Sequence, residues 1–161
     1  MLAPFISPGL PPETLVISFA VLLILGLTAA VDAQKGEVPD LPIIFGILAA
    51  FLVQGVYGNW LLAAENLLAG AGVAALIWAT NEIYFRMRGR DALGMGDAKW
   101  TMLAVTGFGI MPAAMAWGLG ACLALAWMAV RRLVLPACND GVVYFAPFLF
   151  VGLTIGIYIF N

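Results

Sequence analysis

The chain has 161 residues, of which 64% are hydrophobic and only 10% charged, with a net charge of −2 and a mean hydropathy of +1.05. A soluble domain carries roughly a quarter charged residues, so a water-facing surface is excluded and the bilayer is the expected solvent. The lack of histidine excludes His-based catalysis and most catalytic zinc sites, and the seven basic residues form no patch suited to nucleic acid.

The apolar stretches are long and continuous, not short and alternating. They predict an all-α fold, a polytopic membrane protein with six transmembrane helices in a single membrane-embedded domain, residues 1–161. The first helix is expected over residues 14–31. Its apolar core followed by small residues also fits a secretory signal, but no Lys or Arg precedes Lys35, so the segment reads as a retained helix. A polar loop, AQKGEVPD, follows at 33–40. The second helix is expected over 41–56, ended by Tyr57-Gly58-Asn59, and the third over 60–80. Glu65 near the start of the third reads as an interfacial carboxylate favoured at a helix N-terminus.

A polar stretch covers 81–99, and helices four, five and six are expected over 100–111, 113–130 and 142–160. One helix over 100–130 would be about 46 Å long, well beyond a hydrocarbon core of about 30 Å. Gly107, Gly109 and Pro112 are therefore expected to break it into a hairpin, with helix four short or starting before Lys99. Cys122 and Cys138 share no metal or redox spacing and read as free structural cysteines. With six spans, Lys35, Arg86, Arg88, Arg90, Lys99, Arg131 and Arg132 all fall on one side. Basic residues flanking spans stay cytoplasmic, so both termini are expected outside.

Two carboxylates then share the cytoplasmic side. Asp32 ends the first helix, and Asp97 closes the run GMGD just before the fourth. Carboxylates brought together can share a proton, so that one activates water while the other polarises a carbonyl. Gly94 and Gly96 permit close approach of the backbone and an extended or partly unwound segment ahead of Asp97. Each Asp alone also fits an ordinary interfacial residue. Lys35 and Lys99 follow the two Asp residues and could balance their charge, or simply anchor the chain by the positive-inside rule, as Arg86, Arg88 and Arg90 do. Pro147 could shape a site wall or merely open a helix.

GMGDAK, residues 94–99, resembles the GxGD signature of intramembrane aspartyl proteases, and ALGMGDAK is most similar to the type 4 prepilin peptidases. Asp32 followed by a short polar loop ending in Pro39-Asp40 is similar to that family's first motif, and Phe145-Ala146-Pro147-Phe148 to the run opening its last helix. The motifs occur in family order over nearly the whole chain. The resemblance implies an aspartic endopeptidase that cleaves the leader of prepilin-like or preflagellin-like precursors. It implies Asp32 and Asp97 as the catalytic pair, with Gly94, Gly96, Lys99, Lys35, Pro39, Asp40 and Pro147 in support. It further implies the plasma (inner) membrane with the site toward the cytoplasm, lipid as a further partner, and no metal or other cofactor. Leaders in that family are basic, which favours Glu37, Asp40 and Asp91 for contact with them. The chain has no CxxC pair and its first span begins near Thr14, so it is similar to the compact peptidase-only members, and methylation is not implied. Two alternatives use the same Asp residues: a small proton- or cation-coupled transporter, and a GxGD protease for another substrate class.

Overall fold

The computed structural model describes residues 12–89, 94–134 and 144–160, and among them there is no strand. The elements are α1 (Pro12–Lys35), α2 (Asp40–Val53), a π-helical turn (Gln54–Gly58), α3 (Trp60–Arg88), α4 (Met95–Phe108), α5 (Ile110–Val134) and α6 (Ala146–Phe160). Arg90, Asp91, Cys138, Val142 and the chain ends lie outside the described residues.

Several boundaries differ from those expected. α1 runs on through Lys35 and stops at Gly36, whose φ of 70° is a left-handed conformation suited to glycine. α3 continues through Arg88, so the polar residues from Asn81 onward are helical; an Arg86–Glu82 pair at 2.8 Å supports that extension, and Gly89, at φ 67°, ends it. α4 opens at Met95, which puts Asp97 inside its first turn rather than in an unwound segment ahead of it. Arg131 and Arg132 belong to the last turn of α5. α2 gives way at Gln54 to the π-helical turn, and α6 begins at Ala146. The break between α4 and α5 falls at Gly109, at φ 86°, with Pro112 in the first turn of α5, where no amide donor is needed.

Four helical stretches are long and apolar enough to cross a membrane: Ser18–Lys35, Asp40–Gly58, Trp60–Arg88 and Ile110–Val134. α4 and α6 are shorter, with 14 and 15 residues. Large apolar side chains such as Phe19, Phe45, Leu68 and Leu125 are exposed, an outward surface that suits lipid rather than water.

α4 packs against every other helix. Trp100, Leu103, Ala104, Val105 and Phe108 are buried on it and meet Leu25 of α1, Ile43 of α2, and Leu149 and Leu153 of α6. The Trp100 indole N–H donates to the Leu25 carbonyl at 3.1 Å, which satisfies a buried donor and ties α4 to α1. α5 and α6 approach closely through small residues, as helices in lipid do. A Cβ at Gly152 would lie 2.7 Å from the Ala116 carbonyl oxygen.

One end of the bundle gathers the C-terminus of α1 and the N-termini of α2, α4 and α6, which line or border a common cavity. At the other, Gln54 of the π-helical turn donates to the Thr106 carbonyl near the end of α4, and Asn66 of α3 donates to Gln54 at 2.9 Å. A Gly152→Ala variant is expected to lower the thermal unfolding midpoint in detergent, by the roughly 1–3 kcal/mol that overpacking costs. Gly118→Ala, where a Cβ meets nothing within 4 Å, is the control and should leave the midpoint unchanged.

Candidate functional site

The cavity has a volume of about 810 Å³, and its lining includes Asp32, Asp97, Pro39, Asp40, Gly94, Gly96 and Lys99. The two carboxylates come from different helices yet are 8% and 7% exposed and line the same cavity.

Each sits at its own helix end beside one backbone donor. Asp32 lies one turn before the end of α1, where the Gly36 N–H donates to its carbonyl at 2.8 Å and stops the helix. Its carboxylate lies beside the Ala146 N–H at the start of α6, an amide that favours its charge. Such a first-turn amide has no partner inside its own helix and is free to serve an anion. Asp97 occupies the first turn of α4, and its Oδ2 accepts from the Gly94 N–H at 3.3 Å while its own N–H donates to the Gly94 carbonyl at 3.1 Å. A carboxylate in the first turn is favoured by the helix dipole, which offsets part of the desolvation of a buried charge.

The two glycines of GMGD have distinct reasons. Gly94 supplies the capping amide to Asp97. Gly96 makes room for the loop after α1: a Cβ there would lie 2.6 Å from Val38 Cγ2. The same loop is pinned at its start, where a Cβ on Gly36 would lie 2.8 Å from the Tyr144 ring. Val38 is thereby buried, and residues 36–39 form a wall of the cavity instead of a free loop. At the mouth Lys99 pairs with Asp40, linking the first turns of α4 and α2. Both partners are partly exposed, so the pair contributes about 1 kcal/mol or less.

Lys35 and Pro147 are not among the lining residues. Lys35 is exposed at the end of α1, and Pro147 sits in the first turn of α6 beside Ala146, whose amide is the group that reaches Asp32. Glu37 lines the cavity and is exposed. Sequence reasoning did not single out Met95 and Tyr144 as cavity walls. It also missed Thr101, whose hydroxyl donates to the Asp97 carbonyl at 2.6 Å and accepts from Trp117 Nε1 at 3.0 Å. A hydroxyl at i+4 from Asp97 on a helix was the available signal. Cys122 is free and exposed on α5, away from the cavity lining. Among the described residues no group of three or more Cys, Asp or Glu side chains gathers in a way that could hold a metal ion.

No family model, curated protein or solved structure matches the chain.

Two buried carboxylates from different helices thus line one cavity; acids brought close enough together can share one proton and act on a water. The wall that shapes this site is testable without reference to activity. Gly96→Ala is expected to lower thermal stability in the wild-type background and to cost much less in a Val38→Ala background. A coupling of about 1 kcal/mol or more in the double-mutant cycle is the expected reading; strict additivity would mean that the Val38 contact does not limit residue 96.

Proposed function

We propose that the chain is an intramembrane aspartic endopeptidase of the prepilin peptidase type, cleaving the leader of prepilin-like or preflagellin-like precursors on the cytoplasmic side of the plasma membrane. The observation that carries this reading is the burial of Asp32 and Asp97, from two helices, in one cavity. The order of the motifs around Asp32, GMGD and Phe145-Ala146-Pro147 supports it.

In this reading one carboxylate of the pair takes a proton from a water, whose oxygen adds to the scissile carbonyl carbon. The other, protonated, donates to the carbonyl oxygen. The tetrahedral species collapses as a proton passes to the leaving nitrogen, and the C–N bond breaks. The amides of Ala146 and Gly94 orient the two carboxylates throughout. A cavity of about 810 Å³ is of a size that takes a short peptide segment.

Six spans follow in the same reading, with both termini outside. At about 1.5 Å per residue α4 is roughly 21 Å long, short of a hydrocarbon core of about 30 Å. Enclosed by the other helices, it can end below the membrane surface, so that the Asp pair sits recessed in a wet cavity shielded by protein. The described basic residues lie at the C-terminal ends of α1, α3 and α5 and in the first turns of α4, which supports a cytoplasmic assignment for the cavity end. A carrier would use the same Asp residues near the bilayer midplane; their place at helix ends favours the protease, and the loop ending in Pro39-Asp40 favours the prepilin type over other GxGD proteases.

Reporter fusions at Lys35 and Arg88 are expected to report cytoplasm, and one at Asn59 the outside. A cytoplasmic Asn59 would overturn this orientation.

Asp32→Asn and Asp97→Asn are each expected to abolish maturation of a co-expressed prepilin while the protein still accumulates in the membrane. The double variant should be no worse than either alone, because residues acting as a unit are non-additive. Asp40→Asn, which breaks the partly exposed pair with Lys99 and leaves Asp32 and Asp97 in place, should keep at least partial activity. Near-normal cleavage by either catalytic-position variant, scored as precursor against mature band, would remove that residue from the mechanism.

A further inference from the structure

Trp117 carries no charge and does not line the cavity, yet separate contacts connect it to the backbone around each acid. Its indole N–H donates to Thr101 Oγ1 at 3.0 Å, and that hydroxyl donates to the Asp97 carbonyl at 2.6 Å. Thr101 is buried and Trp117 half-buried, so this is a directional chain from α5 to the turn that carries Asp97. On the other side the Trp117 ring packs against Phe145, with centroids 5.2 Å apart and planes tilted by 58°. Phe145 immediately precedes Ala146, the residue whose N–H lies beside the Asp32 carboxylate. The Phe145 carbonyl is fixed in turn by the N–H groups of Phe148 and Leu149, at 3.0 and 3.1 Å. The ring therefore contacts the residue at which the chain enters α6, next to the amide beside Asp32.

This arrangement meets a physical need. Two carboxylates that repel each other, on helices that are not consecutive, keep a fixed separation only if something ties their surroundings together. Sub-ångström placement of reacting groups is worth orders of magnitude in rate. α5 contributes no acid to the site, but it packs against both α4 and α6, so a residue on it can brace the two at once.

We propose that Trp117 is the positioning residue of the Asp32–Asp97 pair, bracing the Asp97 turn through its N–H and Thr101, and the Ala146 donor of Asp32 through its ring against Phe145. The proposal deepens the protease reading and rests on it for the effect on turnover; the brace itself can be measured without catalysis.

Two substitutions separate the arms. Trp117→Phe removes the N–H and keeps an aromatic ring; Trp117→Leu removes both. Purified full-length variants in detergent would be followed by amide hydrogen exchange at peptide level. In Trp117→Phe, exchange over 95–101 should quicken roughly threefold to tenfold, as expected for one lost buried hydrogen bond, while exchange over 144–149 stays at the wild-type rate. In Trp117→Leu both segments should quicken. Thr101→Val should reproduce the Trp117→Phe pattern, Thr101→Ser should restore the wild-type pattern, and Trp127→Phe, on the exposed side of α5, is the control. On a prepilin substrate, Trp117→Phe should lower kcat roughly tenfold with little change in KM, since it alters the placement of reacting groups and no substrate contact.

The brace is overturned if Trp117→Leu leaves both segments at the wild-type rate, or if Trp117→Phe keeps wild-type kcat. If the wild-type chain cleaves nothing, the protease reading falls by itself, and the exchange pattern still decides for or against the brace.

Discussion

α4 is enclosed by all the other helices, so from Asp97 onward it is buried among protein side chains beside the cavity. That enclosure is the constraint on which the rest of the molecule depends. A helix N-terminus inside an apolar bundle leaves amide donors that must find partners. Asp97 meets one of them through Gly94, and its negative charge is of the sign the helix dipole favours. The same burial that makes an acid here functionally interesting would make it unfavourable without those amides. The end of α1 answers the matching problem for Asp32 by placing it beside an amide of α6. The site is thus built from helix termini rather than from a set of polar side chains.

Keeping α4 in place needs contacts that work where the hydrophobic effect does not distinguish helix from lipid. Two kinds are present. Close approach through small residues joins α5 to α6 at Gly120, Gly152 and Gly156, and α3 to α4 at Gly70, where a Cβ would lie 2.9 Å from the Met102 carbonyl oxygen. Single buried polar contacts then set the register: Trp100 to Leu25 near the middle, Gln54 to Thr106 at the far end. The π-helical turn serves the second of these, since Gln54 opens it and is buried against α4. The Thr106 hydroxyl has no hydrogen-bond partner among the described residues, and nothing in the packing explains it.

The cavity wall is held in an uneven way. On its inner side residues 36–39 are fixed by steric fit, Gly36 under Tyr144 and Val38 over Gly96. At the mouth the link is an ion pair between Lys99 and Asp40, partly exposed and therefore weak. A site with a rigid floor and a lightly held rim can admit a chain segment without disturbing the carboxylates, which suits the proposed peptide substrate.

Much was legible in the residues alone. Composition required a helical membrane fold, because a chain with so few charges cannot be wetted and only paired backbone survives in lipid. Gly107, Gly109 and Pro112 marked a break within 100–130, and the structure puts it at Gly109, whose backbone conformation few other residues accept. Asp32 and Asp97 stood out as acids flanking apolar helices, and the loop from Gly36 to Asp40 stood out by its Gly and Pro. Helix ends were read less well. Asn81 to Arg88 is polar enough to pass for a loop, yet it continues α3 because helical hydrogen bonds and a Glu82–Arg86 pair form wherever the chain leaves the apolar layer. Tertiary structure alone decided which groups meet: that the Ala146 amide, not Pro147, reaches Asp32, that Gly96 serves Val38, and that Trp117 touches the surroundings of both acids. Such pairings join residues far apart in the chain through packing. Local pattern records the chemical type of a side chain and the period of its helix, but not which neighbour the bundle will bring against it.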